Sequence, residues 1–113
     1  MTMSTVRKLK GDERALLAGL IAGEPRAHQL LSSLDDALVE EMADGGMGSL
    51  RFCESGSEVR RFGKQLLERE FVDIDGVPVI VTINLDDQGG LYEIDIWKVD
   101  FSPLKKLPST GEA

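Results

Sequence analysis

The last third of the chain alternates apolar and polar residues over long stretches. Every odd position between residues 77 and 85 is apolar: Val77, Val79, Val81, Ile83 and Leu85. This period of two places all five side chains on one face of an extended strand. Acidic and glycine residues typical of turns precede and follow it, at Asp75-Gly76 and at residues 86–90. The region from Glu70 to Leu107 is therefore predicted to be an antiparallel sheet.

The strand after residue 90 contains the residues of greatest functional interest. Tyr92, Ile94 and Ile96 continue the alternation, which places Glu93, Asp95 and Trp97 on the opposite face. At Trp97 the apolar phase breaks, and this predicts either a bulge or a change of face. A lone tryptophan is usually largely buried, so core packing is one interpretation of Trp97. The other is a binding surface in which the indole lies among carboxylates.

The N-terminal half has helical periodicity. A first helix is predicted from about Gly11 to Ala22, with an apolar stripe made by Leu16, Leu17, Leu20 and Ile21. A second helix should follow Pro25, with Ala27, Leu30, Leu31 and Leu34 at i, i+3, i+4 and i+7. Two strands, over residues 37–42 and 49–53, are predicted on either side of a glycine-rich turn. Residues 59–69 suit a helix or a strand, and we favour a strand over about 66–74.

The length of 113 residues fits one domain, residues 1–113, with an ordered core over about 7–107. The polar tail at 109–113 is expected to be disordered. Two helices followed by strands predict an α+β fold. We expect two N-terminal helices packed on one face of an antiparallel sheet of about five strands.

Charge limits the classes of partner. Twenty acidic and 13 basic residues give a formal charge of −7 and a pI near 4.6, which repels nucleic acids and anionic membrane surfaces. Arg7, Lys8 and Lys10 precede an apolar run, but Asp12 and Glu13 at its start argue against a signal peptide. The single cysteine, Cys53, is compatible with the cytoplasm. A protein partner, if there is one, should be neutral or basic, and the chain itself a monomer or a weak homodimer.

Motifs of catalysis and metal binding are weak. The sequence Asp73-Ile-Asp75-Gly76 looks like the start of a calcium loop, but the closing position is Asn84 rather than glutamate. The glycine-rich turn at 45–48 lacks the lysine of a phosphate loop. His28 and Cys53 are each the single residue of their type, and ordinary packing explains both. We therefore expect no catalytic residue, metal or cofactor.

Three phrases suggest a family. They are DGGMGSLRF at 44–52, DGVPV at 75–79, and DIWKVDFSPL at 95–104. With them the chain resembles an uncharacterised bacterial family known only as a domain of unknown function, from Arg7 to Pro108. The resemblance implies no activity, ligand or functional residue. In size and acidity the chain is also similar to some immunity proteins that neutralise bacterial toxins.

Together these observations favour a protein-binding module over an enzyme. Its binding residues would be Trp97, Glu93 and Asp95, since an aromatic ring beside carboxylates suits contact with a basic protein. A toxin-immunity-like inhibitor is one alternative. The other is a small-ligand binder or enzyme with a pocket between helices and sheet, which polar residues converging on a cleft would favour.

Overall fold

The computed structural model describes residues 6–43, 46–53 and 61–109. In these ranges the protein has two α-helices and six β-strands. The helices are α1 (Gly11–Ile21) and α2 (Ala27–Leu34). The strands are β1 (Val6–Lys8), β2 (Leu38–Glu41), β3 (Leu50–Cys53), β4 (Phe62–Val72), β5 (Pro78–Asp86) and β6 (Leu91–Lys98). In the described residues no helix is long and apolar enough to cross a membrane.

All six strands form one antiparallel sheet in the order β1-β2-β3-β6-β5-β4. The α+β class is confirmed. The expected count of about five strands was one too low, because β1 was missed. This strand has only three residues, two of them basic, so it is too short to show a period. It pairs with β2 and forms one edge of the sheet, while the eleven-residue β4 forms the other.

The helices cover one face of the sheet, which we call the inner face. The predicted stripes are confirmed, since Leu16, Leu17, Leu20 and Ile21 of α1 are buried, as are Leu30 and Leu34 of α2. On β5 the odd positions from Val79 to Leu85 are at most 1 % exposed. These side chains share one core with residues from four other strands: Val39, Leu50, Phe52, Leu67, Ile94 and Ile96. Neither of the two described helices covers the other face of the sheet, and we call it the outer face.

Strand β4 settles the ambiguous region from residue 62 onward, while residues 59 and 60 lie outside the described residues. The chain from Phe62 onward is a strand, and it ends at Val72, before the predicted end at Ile74. The register with β5 shifts twice, between Phe62 and Lys64 and between Gln65 and Leu67. A Cβ atom at Gly63 would clash with the backbone carbonyl of Asp86, so this irregular start of β4 requires glycine.

The predicted break of phase at Trp97 is wrong. Inner positions continue from Ile94 through Ile96 to Lys98, which is 0 % exposed, and Trp97 faces outward within a regular register. The irregularity lies at the other end of β6, where Asn84 pairs with Glu93 but Leu85 pairs with Leu91. Leu91 therefore takes the inner position that we assigned to Tyr92. The alternation continues, but its last inner residue is a lysine.

After β6 the chain crosses back over the glycine-rich turn. Residues 101–107, here called the C-terminal segment, have no regular secondary structure, yet Leu104 and Leu107 pack against the core. The amide of Leu104 donates to the carbonyl of Gly46, 3.1 Å away. Residues 44 and 45 of the turn and the tail from 110 onward lie outside the described residues. The expectations for them stay predictions.

Candidate functional site

The three residues proposed for binding lie together on the outer face. Trp97 pairs with Ile80, Asp95 with Thr82 and Glu93 with Asn84. The indole of Trp97 is 41 % exposed, so the core interpretation of this residue was wrong. Asp95 is exposed and Glu93 half-buried. Glu93, Asp95 and Trp97 therefore share the outer face of β6.

Trp97 belongs to a larger group of apolar side chains at one end of the outer face. We call this group the apolar corner. Pro78 pairs with Val72 on β4, and its carbonyl accepts the amide of Val99, so these residues lie side by side. The members of the apolar corner are Val72, Pro78, Ile80, Trp97, Val99 and Phe101. Val72 and Phe101 are 65 % and 69 % exposed. Single exposed apolar residues are ordinary, whereas a contiguous group of them is typical of an interaction site.

Phe101 has an unusual backbone. Its φ is +63°, in the left-handed region where a side chain other than glycine costs roughly 1–2 kcal/mol. A turn holds it there: the amide of Phe101 donates to the carbonyl of Lys98 at 2.8 Å. The carboxylate of Asp100 accepts the amide and hydroxyl of Ser102 at 3.0 and 2.6 Å. The Phe101 ring contacts that of Trp97, with centroids 5.9 Å apart and planes tilted by 50°.

Acidic residues extend from the apolar corner along the outer face. Glu70 pairs with Ile80 and Glu68 with Thr82 on one side of β5, while Asp95 and Glu93 lie on the other. Polar neighbours hold three of them: Thr82 donates to Glu68 at 3.3 Å, Ser49 to Asp95 at 3.1 Å and Asn84 to Glu93 at 2.9 Å. Arg51 lies 3.5 Å from Glu93, at the far end from Trp97. The field beside the indole is therefore negative.

Directly behind Trp97, the inner face holds a buried ionic network. The ammonium of Lys98 donates to Asp73 Oδ2 at 2.9 Å, to Asp75 Oδ2 at 2.7 Å and to the carbonyl of Pro103 at 3.4 Å. Asp73 also accepts the backbone amides of Ile74, Lys105 and Lys106 at 2.7, 2.8 and 3.1 Å. The side chains of Lys98 and Asp73 are both 0 % exposed. The network joins the β4–β5 turn, the end of β6 and the C-terminal segment.

Protonation follows from these contacts. Burial opposes ionisation of Asp73, but the Lys105 amide, the Lys98 ammonium and the Ile74 amide outweigh it and hold the pKa of Asp73 far below its usual range. The hydrogen bond from Lys98 likewise lowers the pKa of Asp75. For Lys98, burial would lower the pKa, but the bonds to Asp75 and Asp73 raise it above the ordinary 10.5. All three groups are thus charged at neutral pH.

This network explains the sequence that looked like a calcium loop. Asp73 and Asp75 do bind a cation together, and that cation is the ammonium of Lys98. The predicted Asp-Gly turn is confirmed, since Gly76 has a φ of +83° and its amide donates to the carbonyl of Asp73. In the described part of the chain, no group of three or more His, Cys, Asp or Glu residues is arranged to hold a metal ion.

His28 and Cys53 do not share a site. His28 is exposed on α2, whereas Cys53 is half-buried and lines an open cleft of about 410 Å³ between α2, β3 and the β5–β6 turn. Arg26 and Asp36 supply the charged groups of this cleft, and the guanidinium of Arg26 donates to the carbonyl of Gly89 at 3.0 Å. His28 is absent from the described lining of the cleft, which argues against a Cys-His nucleophilic pair.

Sequence reasoning missed three residues of this region. Lys98 was overlooked because a lysine is normally assigned to solvent, although unbroken alternation from Ile94 places residue 98 inside. Ser49 is 1 % exposed, and its hydroxyl accepts the amide of Ile96 at 2.8 Å. Phe101 follows a period-two segment, and nothing in its local sequence indicates a positive φ. For Lys98 the usable signal was the pair of acids in the adjacent turn.

Comparison with known families gives one match. The model of a family described as a domain of unknown function, DUF6984, matches residues 6–108. The chain belongs to this family. No curated protein and no solved structure matches it. DUF6984 membership confirms that the chain belongs to an uncharacterised family, as the resemblance implied. The membership assigns no activity or functional residue. Two of the phrases behind that resemblance, at 75–79 and 95–104, meet in space at the Lys98 network.

Proposed function

We propose that this DUF6984 protein is a protein-binding module that uses the apolar corner and the neighbouring carboxylates of its outer face. The observation that carries the proposal is that, of two successive residues, the charged one is buried and the aromatic one is exposed. Lys98 is fully buried, while Trp97 is 41 % exposed beside the still more exposed Phe101. Burying a tryptophan is among the larger apolar gains available to a fold. A fold that instead exposes its only tryptophan beside another exposed aromatic residue fits a role in contact with another molecule.

Charge indicates the partner. The protein carries a formal charge of −7, and Glu68, Glu70 and Asp95 lie beside the apolar corner. A basic protein would gain long-range steering from these groups and apolar contact from the indole. The same charge opposes self-association through this face, so a monomer or weak homodimer is expected. We place the protein in the cytoplasm, because it has one cysteine and no disulfide requirement.

A toxin-neutralising role is a special case of this proposal, in which the basic partner is a toxin. Small size and acidity are its support, together with the acidic outer face. It requires that binding at the apolar corner blocks a toxic activity, whereas a general binding module does not. Inhibition of the captured partner's activity would therefore distinguish the two.

The cleft beside Cys53 is the basis of the second candidate, a small-ligand binder or enzyme. Its position between a helix and the sheet agrees with that alternative, and Cys53 and Asp36 line it. It ranks lower because the described lining holds one carboxylate and lacks His28. We infer that the protein is not an enzyme, since the described lining of the cleft holds a single carboxylate, Asp36, and does not include His28, the one histidine of the chain.

The test is affinity capture from native lysate with matched variants and mass spectrometry. The wild type, Trp97→Ala and Phe62→Ala are immobilised in parallel. Phe62 is the matched control, because its ring is 55 % exposed on β4, outside the apolar corner. The proposal expects a stoichiometric protein that Phe62→Ala retains and Trp97→Ala loses. Equal capture by all three proteins, or equal loss from both variants, would contradict it.

Kinetics with the captured partner separate the two parts of the surface. Trp97→Ala should weaken binding by about 2 kcal/mol or more, mainly through faster dissociation. The isosteric pair Glu93→Gln and Asp95→Asn should mainly slow association and reduce its dependence on salt. If the charge variants changed only the dissociation rate, the steering role assigned to these acids would be wrong.

A further inference from the structure

Phe101 has a conformation and an exposure that folding alone does not explain. Among the described residues it is the one non-glycine residue with a positive φ. Glycine would adopt the same backbone without strain. The ring recovers little of that cost by burial, since it is 69 % exposed. Strained residues of this kind are concentrated at ligand-binding and switch positions.

The two exposed rings meet at an angle, and we call the surface that they form together the notch. Their centroids are 5.9 Å apart and their planes are tilted by 50°, so the rings contact each other and a planar group can lie across the pair. Carboxylates lie on both sides in sequence: Asp95 is on the same face as Trp97, and Asp100 precedes Phe101. The bonds from Ser102 fix the Asp100 carboxylate and lower its pKa, which keeps it charged. Aromatic rings beside fixed negative charge suit a cationic group.

We propose that the notch formed by Trp97 and Phe101 binds an arginine side chain of a basic protein partner, with Asp95 and Asp100 supplying the countercharge. This inference rests on the proposed function and names the chemistry that the apolar corner recognises. Arginine fits better than lysine, because its planar guanidinium stacks on aromatic faces and is more weakly hydrated than an ammonium group. The same contact occurs within the sheet, where the guanidinium of Arg51 lies 5.5 Å from the ring centroid of Tyr92.

The protein carries its own probe of the notch, because Trp97 is its only tryptophan. Indole fluorescence is followed while the wild type is titrated with acetyl-Gly-Arg-Gly-amide. The matched peptides replace arginine with citrulline, which keeps the shape without the charge, or with lysine. We expect a saturable change with the arginine peptide by about 20 mM, weaker binding of the lysine peptide and none of the citrulline peptide. No saturable response to the arginine peptide, or equal responses to arginine and citrulline, would overturn the inference.

Variants test whether Phe101 acts by binding. Phe101→Gly relieves the strained backbone and removes the ring, so its Tm should remain within about 3 °C of wild type. Its affinity for the arginine peptide should fall about fivefold, while Phe62→Ala should bind like wild type. An unchanged affinity of Phe101→Gly would contradict the notch. A fall in Tm of about 8 °C or more would show that the ring is there for stability.

The captured partner then separates this inference from the proposed function. Loss of the partner from Trp97→Ala but not from Phe101→Gly would contradict the notch and still support the binding face. Retention of the partner by Trp97→Ala would contradict both proposals. Loss from both variants, with both proteins folded and Phe62→Ala still binding, is the result that supports the notch.

Discussion

Lys98 and Trp97 are neighbours on one strand, and their environments are the reverse of what their chemistry favours. The charged residue lies on the inner face at 0 % exposure, and the aromatic residue lies on the outer face at 41 %. The inner side of this sheet end is fully bonded, since all three protons of the Lys98 ammonium have acceptors. The outer side presents apolar rings to solvent. The first arrangement fixes the chain, and the second leaves surface available for binding.

Under the proposed function, one sheet end serves stability on its inner side and binding on its outer side. The inner network fastens the β4–β5 turn and the C-terminal segment to β6, so the strand that carries Trp97 is held on both sides. A rigid support allows Trp97 and Phe101 to stay exposed in a defined geometry. We therefore expect substitutions on the inner side to change stability, and substitutions on the outer side to change binding at nearly constant stability.

The largest effect is expected from Lys98→Met. Removal of the ammonium leaves Asp73 buried without its counterion, and breaking a buried pair in this way is strongly destabilising. The Tm should fall by about 10 °C or more, as measured by circular dichroism.

Two further proteins make that result interpretable. Lys105→Met is the matched control. Lys105 bonds Asp73 through its backbone amide, which the substitution keeps, and its side chain is exposed. Its Tm should stay near wild type. Adding Asp73→Asn and Asp75→Asn to Lys98→Met removes the buried negative charges and should recover part of the loss. If Lys98→Met melted like Lys105→Met, the network would contribute nothing to stability.

The second effect is a dependence of stability on pH. The pKa of Asp73 is lowered from 3.8 on folding, so its stabilising contribution is complete above the unfolded value and is lost as the pH falls through the folded one. The pKa of Lys98 is raised above 10.5, so its contribution is complete below that value and is lost as the pH rises through the folded pKa. Stability should therefore be nearly constant between about pH 5 and 10.

Urea unfolding at a series of pH values tests this profile. Asp75, Glu13 and Asp100 also have lowered pKa values, so the acid loss belongs to several groups. In Lys98→Met the alkaline loss due to this residue disappears and the acid loss becomes smaller. Parallel profiles of the variant and the wild type would show that the network is not their source.

The same comparison shows where sequence reasoning succeeded and where it failed. The stripe of α1 and the alternation of β5 were predicted correctly, because their apolar residues repeat over several periods. The strand β1 was missed because three residues show no period. Lys98 was overlooked because hydropathy assigns each residue alone, whereas its burial depends on Asp73 and Asp75, more than twenty positions earlier in the chain. For Trp97 the sequence left a core and a surface position open, since a bulge or a change of face was expected where the strand is regular.

A smaller effect is expected for the stability of Trp97→Ala. The indole is partly exposed and contacts one face of the sheet, so its removal should cost about 1 kcal/mol rather than the 3–5 kcal/mol of a core tryptophan. The matched control is Ile96→Ala, the preceding residue on β6, whose inward side chain is 2 % exposed. It should cost about 2–5 kcal/mol by denaturant unfolding. Equal losses from the two variants would mean that Trp97 is core packing, and the binding face would then have to be abandoned.

The smallest effect is expected from removal of the tail. Residues 109–113 have the sequence STGEA, with no apolar side chain larger than that of Ala113. The preceding segment differs, because Leu104 and Leu107 pack on the core and the amides of Lys105 and Lys106 bond Asp73. Truncation after Pro108 should therefore change the free energy of unfolding by less than about 0.5 kcal/mol. Truncation after Pro103 is the matched comparison. This deletion should lower the free energy of unfolding severalfold more, because it removes both leucines and two bonds to a buried carboxylate. A large loss from the shorter deletion would show that the tail is docked on the fold.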